Sequence, residues 1–191
     1  RALFGEDRLR GDAAESRLRL QTIVRLRWFA VLGQLVTISF VYLVLGFDLP
    51  VGICLAVVAL SAWLNVILRI RYTARHRLSA RFAAALLVYD ILQLASLLYL
   101  TGGILNPFAF LLVAPVTVSA ATLPPRYTIV LGLIAALAAA LLVEHHLPLP
   151  WSAGAGVELP MVYRAGLFAS VAAGMLFQAL YAWRLSKEAR Q

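Results

Sequence analysis

The sequence is poor in charge. Only 14% of its 191 residues are Asp, Glu, Lys or Arg, where a soluble domain carries about a quarter. With 62% hydrophobic residues and a mean hydropathy of +0.86, that deficit excludes a water-soluble globular domain. An integral membrane protein remains. Cysteine is nearly absent. The single Cys54 rules out an intrachain disulfide and a cysteine-rich metal site, and its place in an apolar run makes it a small packing residue. No zinc-type Cys/His spacing, P-loop, dinucleotide fingerprint or nucleophile elbow occurs. No catalytic residue and no metal site is therefore assigned. Nothing resembles a cleavable signal peptide, because the first apolar run starts only at Trp28 and lacks a small-residue cleavage site. Internal repeats and low-complexity tracts are missing too.

What charge there is leans basic. The 17 Lys and Arg outnumber the 9 Asp and Glu, giving a pI near 10.4. The arginines sit in connections and tails rather than on one face, which fits membrane orientation and anionic headgroups, not direct nucleic-acid binding. Apolar runs of about 17–25 residues read as spanning helices, and six occur: Trp28–Gly46, Pro50–Leu68, Phe82–Leu100, Pro107–Leu123, Tyr127–Val143 and Leu159–Trp183. The fourth is the shortest and holds Pro115 at its middle, so a re-entrant segment has to be weighed. Charge decides against it. Arg69, Arg71, Arg75, Arg77 and Arg81 crowd the second connection and Arg184, Lys187 and Arg190 follow the last span, whereas Phe47–Leu49, Thr101–Asn106 and Glu144–Glu158 hold no Lys or Arg. Six spans put every basic cluster in the cytoplasm; five would expose the last one. The expected fold is an all-α, six-helix transmembrane bundle with both termini cytoplasmic. Arg164, near the outer end of the sixth span, is the exception.

The connection Gly102-Gly103-Ile104-Leu105-Asn106-Pro107-Phe108 stands out between the third and fourth spans. Glycine permits positive φ and close approach of a ligand to bare backbone, proline can open a helix, and asparagine offers donors and an acceptor. The plain alternative is a tight turn punctuated by Gly and Pro. Five of its seven positions match Gly-Gly-x-x-Asn-Pro-Phe, the quinone-site signature of the RegB/PrrB-type redox-sensing histidine kinases, and the chain resembles the N-terminal membrane domain of that family. Arg17-Leu18-Arg19, Leu26-Arg27-Trp28 and Gly33-Gln34 look like that family's approach to its first span. The resemblance implies that Gly102, Gly103, Asn106, Pro107 and Phe108 bind ubiquinone, sensed from the quinone pool as a ligand. Tyr99 and Phe110 are further candidates for an aromatic wall. It also implies a homodimer whose cytoplasmic portion uses ATP, phosphorylates a histidine and signals to a response regulator. The phosphoacceptor region, the ATP-binding domain and the family's cytoplasmic redox cysteine are not found in residues 1–191, so no phosphorylation is expected of this chain by itself.

Polar residues inside the spans are the other candidates. Asp90 lies near the centre of the third, where an ionisable group costs about 2.5–3.5 kcal/mol. Tyr89, Gln93 and Ser96 accompany it at spacings of three and four, a polar stripe expected to face the bundle interior. Asp90 reads either as a proton-linked or ligand-linked switch or as a neutral carboxyl hydrogen-bonded between helices. With no cation expected at its depth, it should be protonated at neutral pH, and Asp90→Asn should fold normally. It lies about 18 Å along the helix from Gly102, too deep to touch a headgroup bound at the glycines. Gln34, Asn65 and Gln178 are expected to make interhelical amide bonds. His145 and His146 point to different sides of a helix and suit the interface better than a shared metal. Gly166, Ser170 and Gly174 form a small-xxx-small stripe for helix packing or a dimer contact.

Three parts result: residues 1–27, a cytoplasmic tail with a basic segment that is either an interfacial helix or a plain orienting flank; 28–183, the sensor bundle in contact with membrane lipid; and 184–191, the start of a cytoplasmic signalling helix. The tail Arg1–Ser16, which mixes both charge signs, is expected to be poorly ordered. Two rival functions remain: a proton-coupled transporter or membrane-enzyme subunit with Asp90 as the proton carrier, and a structural anchoring and dimerisation module.

Overall fold

A computed structural model describes residues 20–72, 79–149 and 160–188. The N-terminal tail with Arg17 and Arg19, Arg75 and Arg77 of the second connection, residues 150–159 of the fifth connection and Arg190 lie outside the described residues. Six helices follow one another: α1 (Leu20–Leu43), α2 (Val51–Arg71), α3 (Ala80–Leu100), α4 (Val113–Thr122), α5 (Pro125–Glu144) and α6 (Met161–Glu188). Two 3-10 segments, Gly103–Leu105 and Pro107–Leu112, link α3 to α4, and no strand occurs among the described residues.

Local chemistry sets several helix ends. Ser79 caps α3 by accepting from the Phe82 N–H, satisfying one of the first orphan donors. Pro125 opens α5, where its missing N–H costs nothing. Arg69 and Arg71 occupy the last turn of α2 and complement its negative end. Among the described residues, five helices are long and apolar enough to cross a membrane, and Pro107–Thr122 is a shorter apolar sixth. That short element is stretched. Proline at 115 has no N–H for the Leu111 carbonyl and its ring would crowd that group. The chain winds as 3-10 from Pro107 to Leu112, which places Pro115 in the first turn of α4, where the N–H is dispensable. Six residues at 2.0 Å and ten at 1.5 Å make about 27 Å, close to the bilayer core of about 30 Å.

The main core joins α3, α4, α5 and α6 around Ile91, Leu98, Leu112 and Leu131. Ala135 and Ala139 on α5 are fully buried; their size lets helices approach closely without a polar penalty. Val31, Ile38, Val58 and Leu97 form a second cluster around the fully buried Cys54, which acts as the packing residue anticipated. Phe29, Ile70 and Val162 are 73%, 80% and 84% exposed, an outward apolar surface suited to lipid rather than water.

The first span begins earlier than hydropathy indicated. α1 is continuous from Leu20, and Ile23 and Val24 are buried in the main core. From Leu20 on, the basic segment is continuous with the first span, with Arg25 and Leu26 exposed. This carries Arg27 into the bundle, where it is only 4% exposed.

Candidate ligand groove between the first and third helices

α1 and α3 stand apart. Among the described residues, no Cα of α1 comes within 8 Å of one in α3; long polar side chains bridge the space instead. On α1, Arg27 and Gln34 are seven residues apart and share a face; on α3, Asp90 and Gln93 are three apart. Arg27 Nη1 lies 2.9 Å from Asp90 Oδ1, an ion pair by distance, though not a well-aligned hydrogen bond. Arg27 Nε donates to Asn65 Oδ1 at 2.8 Å, and Nη2 donates to Ser61 Oγ at 3.4 Å. The guanidinium also sits 5.0 Å from the centroid of the Tyr89 ring, within cation–π reach. One arginine thus ties α1 to both α2 and α3. Nearer the glycine connection, Gln34 and Gln93 form a reciprocal amide pair, Gln34 Nε2 donating at 3.2 Å and Gln93 Nε2 at 2.9 Å.

This corrects the expectation for Asp90. It is not a lone neutral carboxyl, because Arg27 enters at its depth; the cation was missed when the span was started at Trp28. Arg27 at seven-residue spacing from Gln34 was the available signal. Gln93 does face inward, but Ser96 is exposed and its hydroxyl donates to the Leu92 carbonyl of its own helix. Gln178 is exposed as well, so the anticipated interhelical bonds hold for Gln34 and Asn65 alone.

Between α1 and the α3–α4 side runs a half-open groove of about 960 Å³. Arg27, Ser61 and Asp90 mark one end, Gln34 and Gln93 its middle, and Asn106, Pro107 and Phe108 the other end. The rest of its lining is mainly aliphatic and aromatic, including Leu94, Leu97, Leu111 and Phe40.

Gly102 and Gly103 are needed for conformation, with φ of +107° and +60°, but they are not bare. Both are buried. A Cβ on Gly102 would strike Leu149, and one on Gly103 would lie 2.5 Å from the Leu142 carbonyl and from the His146 ring. The fifth connection covers them, held by the Leu147 N–H donating to the Tyr99 carbonyl at 2.8 Å. Asn106 is equally committed. Its Oδ1 accepts from the Phe108 N–H at 2.8 Å, the helix-cap role, and its Nδ2 donates to the Thr101 carbonyl at 3.0 Å and to Thr101 Oγ1 at 2.7 Å. Phe108 lines the groove and is 40% exposed; Tyr99 and Phe110 are 44% and 59% exposed but do not line it.

The remaining candidates lie elsewhere. Arg164 donates to the Val143 carbonyl at 3.1 Å and sits 3.4 Å from Glu144, so the outward arginine completes the end of α5. Gly166 and Ser170 are exposed, whereas a Cβ on Gly174 would meet Val113 of α4 at 3.7 Å; the stripe does not act as one surface. No His, Cys, Asp or Glu cluster able to hold a metal occurs among the described residues.

Comparison with known sequences places this architecture. The family described as the PilS-like transmembrane domain, a six-span module, matches residues 11–186. The chain belongs to that family. Among relatives of this PilS-like domain, a sensor histidine kinase named RegB from Cereibacter sphaeroides is 40% identical over 172 residues, 90% of this chain and 37% of that protein. A second sequence of that name, from a designated strain of the organism, is 39% identical over 87 residues, 46% of this chain and 19% of the relative. The chain thus spans well under half the length of these relatives. No solved structure matches it. The resemblance to RegB-type membrane domains holds, and the PilS-like domain is a multi-pass protein of the bacterial inner membrane.

Proposed function

We propose that the chain is the quinone-sensing membrane domain of a sensor histidine kinase. The observation that supports this reading most is the groove, because Asn106, Pro107 and Phe108 of the heptapeptide form one end of it. Its volume of about 960 Å³ lies within the range of small-ligand pockets, about 300–1,000 Å³. Largely apolar walls suit an isoprenoid tail entering from lipid, and a few polar groups suit a ring with two oxygens. Redox state would pass to the cytoplasmic kinase through α6, whose 28 residues extend about 42 Å and exceed the bilayer core. ATP and a response regulator would engage that cytoplasmic portion. The burial of Arg27 against Asp90, Asn65 and Ser61 favours a structural joint over a proton carrier. Photolabelling with an azido-ubiquinone in nanodiscs tests the proposal. Label is expected on α1, on α3 and on Pro107–Val118, displaced by unmodified ubiquinone. Labelling that ubiquinone does not displace, or that spreads evenly over the lipid-facing helices, overturns it.

A further inference from the structure

The glycine connection supplies a wall but few free donors. The Asn106 amide nitrogen is used on Thr101, the Leu105 and Asn106 N–H groups donate to the Gly102 and Gly103 carbonyls, and the glycines are buried beneath Leu149 and His146. Thr101 Oγ1, already accepting from Asn106, donates to the Leu97 carbonyl at 2.7 Å. A ring carbonyl at that end finds Pro107 and Phe108, not hydrogen-bond partners.

Deeper in the groove the position reverses. Gln34 and Gln93 both line it. A carboxamide has two N–H groups and two acceptor sites, and the reciprocal pair uses one N–H from each. The second N–H of either amide has no partner among the described residues. In an apolar groove within a bilayer, an amide N–H without a partner is unfavourable. Two donors therefore lie along a groove that the heptapeptide also lines. Asp90, one helical turn from Gln93, lines the same stretch and adds an acceptor.

We infer that Gln34 and Gln93 form the headgroup site, hydrogen-bonding the ring oxygens of a lipid-borne quinone, while Pro107 and Phe108 flank the ligand nearer the outer end. The inference rests on the quinone-sensing reading and moves the ring about 12 Å along α3 from Thr101. A quinone carbonyl accepts, which matches the spare N–H groups. A quinol hydroxyl also donates, which the amide oxygens and Asp90 can receive. The same residues thus serve both forms through different hydrogen bonds. A ring that accepts from both spare N–H groups bridges the amide pair spanning α1 and α3, so occupancy is coupled to the separation of those helices.

The test uses infrared difference spectra of carbonyl-¹³C ubiquinone in nanodiscs, loaded against empty, together with affinity and thermal unfolding. Wild type should show a carbonyl stretch lowered from that of ubiquinone in protein-free nanodiscs. The double variant Gln34→Leu/Gln93→Leu removes both partners at once, a change close to neutral for folding, and should unfold near the wild-type temperature. It should return the carbonyl stretch to the lipid value and weaken binding by about tenfold or more. Gln93→Leu alone should move the frequency in the same direction. A folded double variant with wild-type frequency and affinity overturns the headgroup site and leaves quinone sensing standing. Wild-type protein that binds no ubiquinone overturns both.

Discussion

Arg27 brings three nitrogens to the meeting point of α1, α2 and α3, directed at Asp90, Asn65 and Ser61. A buried guanidinium is tolerated only while its charge is matched, and removing one partner of such a pair costs about 3–5 kcal/mol. Asp90→Leu is therefore expected to lower stability on that scale, and Asp90→Asn to be destabilising as well, contrary to the reading of Asp90 as a lone neutral acid. Arg27→Leu/Asp90→Leu should recover most of the loss, because no charge is then left unpaired. Thermal unfolding of wild type, Arg27→Leu, Asp90→Leu and the double variant in nanodiscs measures the coupling, and independent losses for the two sites would show that the pair holds nothing together. The glycines give a second residue-level expectation. Gly103→Ala must accept a φ of +60°, about 1–2 kcal/mol for a residue with a Cβ, and must also displace the backbone carbonyl of Leu142. Gly52, with open space where its Cβ would stand and no positive φ, is the control. Gly52→Ala should leave the unfolding temperature unchanged or raise it, while Gly103→Ala should lower it by several degrees.

Among the elements, the stretch from Pro107 to Thr122 is the one whose winding sets the groove. A 3-10 helix turns about 120° per residue against about 100° in an α-helix. Over Pro107–Leu112 the difference amounts to about a third of a turn and about 3 Å of length. Pro115→Ala supplies the N–H four residues on from Leu111, whose carbonyl accepts from Val113 instead, and allows α winding. It should therefore keep or raise thermal stability, yet rotate Phe108 relative to α1 and weaken ubiquinone binding measurably in nanodiscs. Unchanged affinity would mean that this winding does not position the wall. Such features mark how far the sequence could be read. Six spans, the punctuating role of Gly102, Gly103 and Pro107, and the packing role of Cys54 were legible because composition and local backbone chemistry decide them. The start of α1 was not, since a hydropathy boundary treats arginine as an end signal and Arg27 instead finds buried partners on two other helices. The covering of the glycines was hidden for a related reason. It depends on Leu149 and His146, more than forty residues away, and no local pattern announces a loop folding back.

For the whole molecule, orientation and self-association are what the charge pattern and the exposed faces decide. Arg164 no longer weighs against cytoplasmic termini, because the Val143 carbonyl and Glu144 engage it at the end of α5 and it is not a free orienting charge. In a Cys54→Ser background, cysteine at Asn106 is expected to label from outside, and cysteines at Pro125 and Ser186 only after permeabilisation. External labelling at Ser186 would remove the sixth crossing. For the proposed homodimer, α6 offers the candidate face. Gly166 and Ser170 lie on an exposed part of that helix, with nothing within 4 Å of where a Gly166 Cβ would be, whereas Gly174 already approaches Val113. Small residues favour helix contact in lipid by letting backbones approach, so the proposed homodimer has its best seat at Gly166 and Ser170. Gly166→Ile should weaken dimerisation in bilayers while leaving the subunit's unfolding temperature in place. Gly174→Ile should do the opposite, crowding α4 at a cost of about 1–3 kcal/mol and leaving the subunit less stable. Single-molecule subunit counting in nanodiscs, read beside thermal unfolding, separates the two. Equal dimer fractions for wild type and Gly166→Ile would place the interface on another face of the bundle.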